Sequence, residues 1–145
     1  MNAVIEGKGL KRYYRRGVET VKALDGVDIA VHSGEMVSIL GHSGSGKTTL
    51  INLLSCLDAP TEGDLLVAGK SVAGLLEDEL VEVRRGLLGF VFQQFHLLPT
   101  LTVTENVELP LTFLGRPLDR KKTFEVLSLV GLADRADHLP KELSG

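Results

Sequence analysis

Apolar positions in the first part of the chain repeat with the period of β-strands. They predict strands over Val4–Leu10 and Leu24–Val31, and the second of these alternates apolar with polar or small residues. The two strands are close in sequence and a polar, basic segment joins them, so we expect an antiparallel pair. A continuous apolar run follows at Met36–Leu40 and is typical of a buried strand.

In the rest of the chain, segments whose apolar residues have helical spacing alternate with segments that have strand-like apolar runs. Helical spacing predicts helices over Thr49–Leu57, Leu75–Arg85, Val103–Leu114 and Asp119–Val130, and short apolar runs predict strands over Leu65–Ala68 and Leu87–Phe92. Thr102 and Glu105 form a capping box at the start of the third helix, which Pro110 is expected to kink or break. This alternation predicts an α/β fold in one domain, residues 1–145, with the first hairpin as an antiparallel annex.

Composition narrows the classes of function. The chain has 145 residues, of which 43% are hydrophobic and 24% charged, and its net charge of −3 gives no support for nucleic-acid binding. A basic cluster, formed by Lys8, Lys11, Arg12, Arg15 and Arg16, is interpreted as a solvated hairpin, with contact to nearby nucleotide phosphates as the alternative. Cys56 is the single cysteine, which excludes an internal disulfide and predicts a small buried side chain. No apolar run is long enough to cross a bilayer.

Residues 41–49 fit the phosphate-binding pattern G-x-x-x-x-G-K-[ST]. The strand-like run before them and the helix-like run after them place backbone N–H groups and a helix N-terminus around one point, where phosphate oxygens bind. The glycines allow a phosphate to approach closely. Lys47 is expected to lie between the β- and γ-phosphates, and Thr48 to ligate Mg²⁺. The predicted nucleotide-binding residues here are Gly41, His42, Ser43, Gly44, Ser45, Gly46, Lys47, Thr48 and Thr49.

Two other interpretations of this segment are excluded. A flexible Gly/Ser linker would not be flanked by periodic apolar segments. A dinucleotide-binding G-x-G-x-x-G loop that started at Gly44 would need a glycine where Thr49 stands.

Further segments resemble the ATP-binding subunit of ABC transporters, most closely those of the lipoprotein-releasing and macrolide-exporting type. Besides the phosphate loop, the resemblance rests on Tyr14, Cys56–Gly63, Gly89–Pro99, Leu101–Val107 and Leu143–Gly145. It implies a P-loop ATPase core with an N-terminal antiparallel β subdomain, incomplete at the C-terminus. It also implies ATP and Mg²⁺ as cofactors and a peripheral position on the cytoplasmic side of the inner membrane.

The resemblance assigns roles to four residues outside the phosphate loop. Tyr14 matches the aromatic residue that stacks on adenine. Gln93 matches the glutamine that contacts Mg²⁺ and the attacking water and connects the site to transmembrane permease subunits. Ser144 and Gly145 match the beginning of the signature segment, which contacts the γ-phosphate held by the opposite subunit of a homodimer.

The same resemblance implies that the hydrolytic residues are missing. In the family, the signature segment is followed by a strand that ends in an Mg²⁺-organising Asp and a water-polarising Glu. Asp134 ends an apolar run, but Arg135 follows it and the run is predicted to be a helix C-terminus. The leading interpretation is therefore the N-terminal part of an ABC transporter ATPase, which holds the ATP cradle.

Two alternatives remain open. One is a non-hydrolysing nucleotide-binding or interaction module that ends naturally at Gly145. The other is a different phosphate-loop enzyme, such as a GTPase or a small kinase. The sequence contains no N-K-x-D or D-x-x-G segment, so guanine specificity has no support.

Overall fold

The computed structural model describes residues 3–143. The chain divides into two compact units, Met1–Phe90 and Val91–Gly145. The first unit contains β1 (Ala3–Arg16), β2 (Glu19–His32), α1 (Lys47–Leu54), β3 (Glu62–Val67), β4 (Lys70–Ser71) and α2 (Glu77–Arg84). The second contains α3 (Val103–Phe113), α4 (Arg120–Leu129) and two 3₁₀ turns, Ala133–Arg135 and Pro140–Glu142.

The first unit is built on a four-stranded antiparallel sheet with the strand order β2-β1-β3-β4. The predicted antiparallel pair is confirmed, but its strands are longer than predicted. The basic segment that was expected to connect them continues both strands, and residues 17–18 alone form the turn. Gly17 has a φ of 59°, which a tight hairpin turn requires.

Strand β2 carries a bulge next to the phosphate loop. Arg12 of β1 pairs with Leu24, and the next residue, Tyr13, pairs with Lys22, so Ala23 is an extra residue without a partner across the ladder. A bulge of this kind bends the strand and locally increases its twist.

The core of the first unit lies between the sheet and the two helices. Its most buried side chains come from every element but the short edge strand: Leu10, Leu24, Leu50, Leu53, Leu54, Cys56, Leu65, Val67, Val72, Leu80 and Val83. Cys56 is fully buried, as the sequence predicted. Burial of its thiol raises its pKa.

Two of the predicted strands are wrong. Residues 36–40 and 87–92 belong to no strand of the sheet that the structure describes within residues 3–143. Met36 and Leu40 are 97% and 89% exposed, whereas Ile39 and Leu88 are partly buried against the core of the first unit. An apolar run predicts only that burial would be favourable. A strand also needs a neighbouring backbone whose N–H and C=O groups face its own.

The second unit packs α3 against α4 around Val103, Leu127 and Ala136. The predicted capping box is confirmed: the amide of Glu105 donates to Thr102 Oγ1 at 3.2 Å, and the Glu105 carboxylate accepts from the Thr102 amide at 2.7 Å. Helix α3 runs through Pro110 to Phe113, so the expected break does not occur there. Among the described residues, no helix combines the length and apolar character that a membrane span needs.

Candidate nucleotide-binding site

Helix α1, which follows the phosphate loop, begins without a side-chain cap. Its N-cap is Gly46, whose φ of 88° is in the left-handed region, and its first turn contains no acidic residue. By contrast, α3 and α4 begin after Thr102 and Asp119, whose side chains accept hydrogen bonds from first-turn amides. The first N–H groups of any α-helix lack partners inside the helix. In α1, those of residues 47–49 are therefore available to an anion.

The loop packs directly on the bulge of the hairpin. A Cβ atom at Gly46 would lie 2.5 Å from the carbonyl oxygen of Ala23 and 3.0 Å from Cδ2 of Leu24. Gly46 must therefore be glycine for two independent reasons, its positive φ and this close approach. The contact with the bulge fixes the point at which the loop turns into the helix.

The ammonium of Lys47 is folded onto its own loop. Its Nζ donates hydrogen bonds to the carbonyl oxygens of Gly41 at 2.8 Å and His42 at 2.7 Å. Gly41 is closely packed as well, since a Cβ there would lie 2.6 Å from Oγ of Ser45. An ammonium has three donors. Lys47 is thus held within the loop with one donor to spare for a phosphate oxygen.

Tyr14 lies on the face of β1 that also carries Leu10 and Arg12, because alternate residues of a strand share a face. Arg12 pairs with Leu24, the residue that packs against Gly46. The hydroxyl of Tyr14 donates to Asp58 Oδ2 at 3.0 Å, and the Arg12 guanidinium lies 4.7 Å from the ring centroid. The predicted adenine-stacking residue is therefore half-buried on the sheet face next to the loop.

Sequence reasoning placed Arg12 only in the basic cluster of the hairpin and missed both its contact with Tyr14 and the part played by Asp58. Arg12 stands two residues before Tyr14 in a strand, so the alternation of side chains could have found it. Asp58 follows α1 and is 44 residues away from Tyr14 in the chain. No pattern in the sequence predicted this contact.

Tyr13 occupies a similar but separate setting on the opposite face of β1. Its hydroxyl donates to Asp25, and Nζ of Lys22 lies 5.2 Å from the ring centroid and 3.2 Å from the Asp25 carboxylate. The hydrogen bond raises the pKa of Tyr13 and lowers the pKa of Asp25.

The other predicted site residues are placed as follows. Thr48 is exposed in the first turn of α1, and Gln93 is exposed in a loop of the second unit. The hydroxyl oxygen of Thr48 and the amide oxygen of Gln93 are hard donors, the type that Mg²⁺ prefers. Ser144 and Gly145 lie outside the described residues. Asp134 is in a 3₁₀ turn and not at the end of a strand.

Comparison with protein families gives a match to the family described as ABC transporter over residues 24–145. The chain is 47% identical over 147 residues to the macrolide export ATP-binding/permease protein MacB of Photorhabdus laumondii. It is 46% identical over 149 residues to the protein of the same name from Shigella flexneri. In both alignments it is covered completely and spans 23% of the relative's length.

Comparison with solved structures gives matches in the same family. The chain superposes on the ATP-binding cassette MJ0796, solved as a dimer in a post-hydrolysis state with ADP and Pi bound, with a TM-score of 0.86 and 43% identity. The superposition covers 97% of this chain and 63% of that one. A second dimeric structure of MJ0796 gives a TM-score of 0.83. The expected fold, a P-loop ATPase core with an antiparallel β subdomain, is confirmed by these superpositions.

Proposed function

Since the chain belongs to the ABC transporter family, we propose that it binds Mg-ATP at residues 41–49 and serves as the ATP-binding part of a transporter. The observation that carries this proposal is the uncapped start of α1 at Gly46. Three first-turn amides and the helix dipole lie there with no acidic residue in the first turn, and the Lys47 ammonium is held on the loop that precedes the helix. This combination favours a polyphosphate over other anions.

Each residue of the loop has a proposed task. The amides at the start of α1 hold the phosphate oxygens, and Lys47 exchanges one of its loop carbonyls for the β- and γ-phosphates. The Thr48 hydroxyl would hold Mg²⁺, which would neutralise charge on the phosphates, and Gln93 is the second Mg²⁺ contact that the family resemblance predicts. Tyr14 stacks on adenine, a contact that fits a half-buried ring on the sheet face next to the loop.

This chain spans about a quarter of the length of its curated relatives. The activity, substrate and partners of a whole transporter therefore enter as further proposals. We propose that ATP binding and hydrolysis drive export or release of a substrate through a membrane permease. Gln93 would connect the nucleotide to that permease on the cytoplasmic side of the membrane. Ser144 and Gly145 would contact the ATP held by a second copy, as the dimeric state of MJ0796 suggests.

Isothermal titration of the full chain with Mg-ATP tests the binding site. The variant Lys47→Ala is expected to weaken binding by about tenfold or more, the value of a charge-assisted hydrogen bond to phosphate. The matched control is Lys70→Ala, which removes an exposed lysine of the edge strand β4. Equal affinities of all three proteins would exclude residues 41–49 as the site.

Three further measurements, GTP binding, phosphate release and removal of Mg²⁺, test the nucleotide preference, the activity and the metal dependence of the chain. GTP is expected to bind more weakly than ATP, whereas a preference for GTP would favour a different phosphate-loop enzyme. Binding of Mg-ATP without release of phosphate is expected both of the leading interpretation and of a non-hydrolysing module, whereas release of phosphate would exclude the non-hydrolysing module. Removal of Mg²⁺ by EDTA is expected to weaken ATP binding in the wild type and to change it less in Thr48→Val.

A further inference from the structure

Three side chains of the first unit form one connected group, which we call the Tyr14 clamp: Arg12, Tyr14 and Asp58. The guanidinium of Arg12 binds the Asp58 carboxylate through two nitrogens, Nε and Nη2, each 2.8 Å from a carboxylate oxygen. The Tyr14 hydroxyl donates to the same carboxylate at 3.0 Å. The side chains of Arg12 and Asp58 are 25% and 23% exposed, so water competes little for these bonds.

The clamp restrains the tyrosine ring at two points. The hydroxyl is fixed by Asp58, and one face of the ring is covered by the Arg12 guanidinium at 4.7 Å. Asp58 is itself held, because its Oδ1 accepts a hydrogen bond from the amide of Ala59 at 2.9 Å. The Tyr14 ring has two faces, and the Arg12 guanidinium occupies one of them. A base can therefore stack only on the other.

We propose that Arg12 and Asp58 are positioning residues that preorganise Tyr14 and present a single face of its ring to adenine. This inference rests on the proposed ATP binding. Ordering a side chain before the ligand arrives removes that entropic cost from binding. The clamp therefore strengthens the part of the affinity that comes from the base and leaves the part from the phosphates unchanged.

Two ligands separate these parts: Mg-ATP, which carries a base, and Mg-tripolyphosphate, which carries none. Stacking of a base on an aromatic ring predicts that Tyr14→Ala weakens ATP binding by about tenfold. Asp58→Asn keeps an acceptor for Ala59 but loses the charge that holds Arg12, and we expect it to weaken ATP binding by about threefold. Tripolyphosphate binding is expected to stay the same in both variants, which also shows that both are folded.

A second set of variants keeps the test decisive if Asp58→Asn does not fold. Tyr14→Phe retains the ring and loses only the hydrogen bond to Asp58, so it is expected to reproduce the effect of Asp58→Asn. In the Tyr14→Ala background, Asp58→Asn is expected to have no additional effect on ATP. The matched control is Asp25→Asn, which removes the equivalent partner of Tyr13 on the opposite face and is expected to leave ATP binding unchanged.

The outcomes distinguish this inference from the proposed function. If Tyr14→Ala weakens ATP binding while Asp58→Asn and Tyr14→Phe do not, the clamp is overturned and the ATP site stands. If Arg12→Gln tightens ATP binding, the guanidinium occupies the face that the base needs, and the inference is again wrong. If the wild type binds tripolyphosphate and ATP equally, Tyr14 has no role in base binding. If it binds neither, the proposed function and the clamp both fail.

Discussion

Replacing Gly46 by alanine tests the contact between the phosphate loop and the bulged hairpin. The added methyl group would lie 2.5 Å from the Ala23 carbonyl oxygen, far inside the usual contact distance, and the φ of Gly46 is 88°. The matched control is Gly44→Ala, because Gly44 has a similar φ of 80° but no atom within 4 Å of its added methyl group. Both variants lower the conformational entropy of the unfolded chain in the same way, and only Gly46→Ala adds a steric clash.

The structure sets the size of the expected difference. A side chain in the left-handed region costs about 1–2 kcal/mol, and both variants incur this cost. The clash at Gly46 adds the cost of shifting packed backbone, about 1–3 kcal/mol. With a urea dependence of about 1–3 kcal/mol per molar, the unfolding midpoint of Gly46→Ala is expected about 1 M below that of Gly44→Ala.

Tyrosine fluorescence is the appropriate assay. The chain has two tyrosines and no tryptophan, and both tyrosines lie in β1 of the first unit. Urea titrations without nucleotide therefore report the unit that contains the loop. Equal midpoints for the two variants, or a lower midpoint for Gly44→Ala, would refute the packing of the loop on Ala23.

Three other predictions concern stability and reactivity. Thr102→Ala removes the N-cap of α3 and is expected to cost about 1 kcal/mol in urea unfolding followed by circular dichroism, whereas exposed Ser128→Ala is near neutral. The hydrogen bond from the Thr102 amide lowers the pKa of Glu105 below its ordinary value, so the contribution of Glu105 to stability is present above the ordinary pKa and is lost as the pH falls through the folded pKa. Acid titration of Glu105→Gln is expected to lack this loss, and an unchanged profile would contradict it. Buried Cys56 is expected to react with Ellman's reagent far more slowly in the native chain than in urea, and equal rates would contradict its burial.

Local signals in the sequence were sufficient for much of the fold. Three features depend on residues that are near each other in the chain: the hairpin, the phosphate loop and the capping box at Thr102. Their sequence patterns can therefore be recognised without knowledge of the tertiary structure. The strand predicted at residues 36–40 failed because an apolar run does not report whether a partner strand pairs with it. The bulge at Ala23 likewise depends on register across two strands, which composition does not encode.

The candidate site likewise contains some features that local sequence patterns predict and others that depend on the tertiary structure. Lys47 and its loop were predicted from spacing alone, while the bond between Tyr14 and Asp58 joins residues 44 positions apart and becomes visible only in the folded chain. The phosphate-binding motif requires a glycine at position 46 without giving the reason. The close approach of Gly46 to the Ala23 carbonyl supplies that reason. The roles of all the predicted site residues, including Tyr14, Lys47, Thr48 and Gln93, stay predictions.

The most direct test of the account is an NMR titration of the ¹⁵N-labelled chain with Mg-ATP. The account predicts that the largest amide shifts occur at residues 44–49, with ring-proton shifts at Tyr14 and small changes at Tyr13. It also predicts that Mg-tripolyphosphate moves the loop amides but not the Tyr14 ring. Saturable binding that shifts other residues and leaves the amides of 44–49 in place would contradict the assignment of this loop as the nucleotide site.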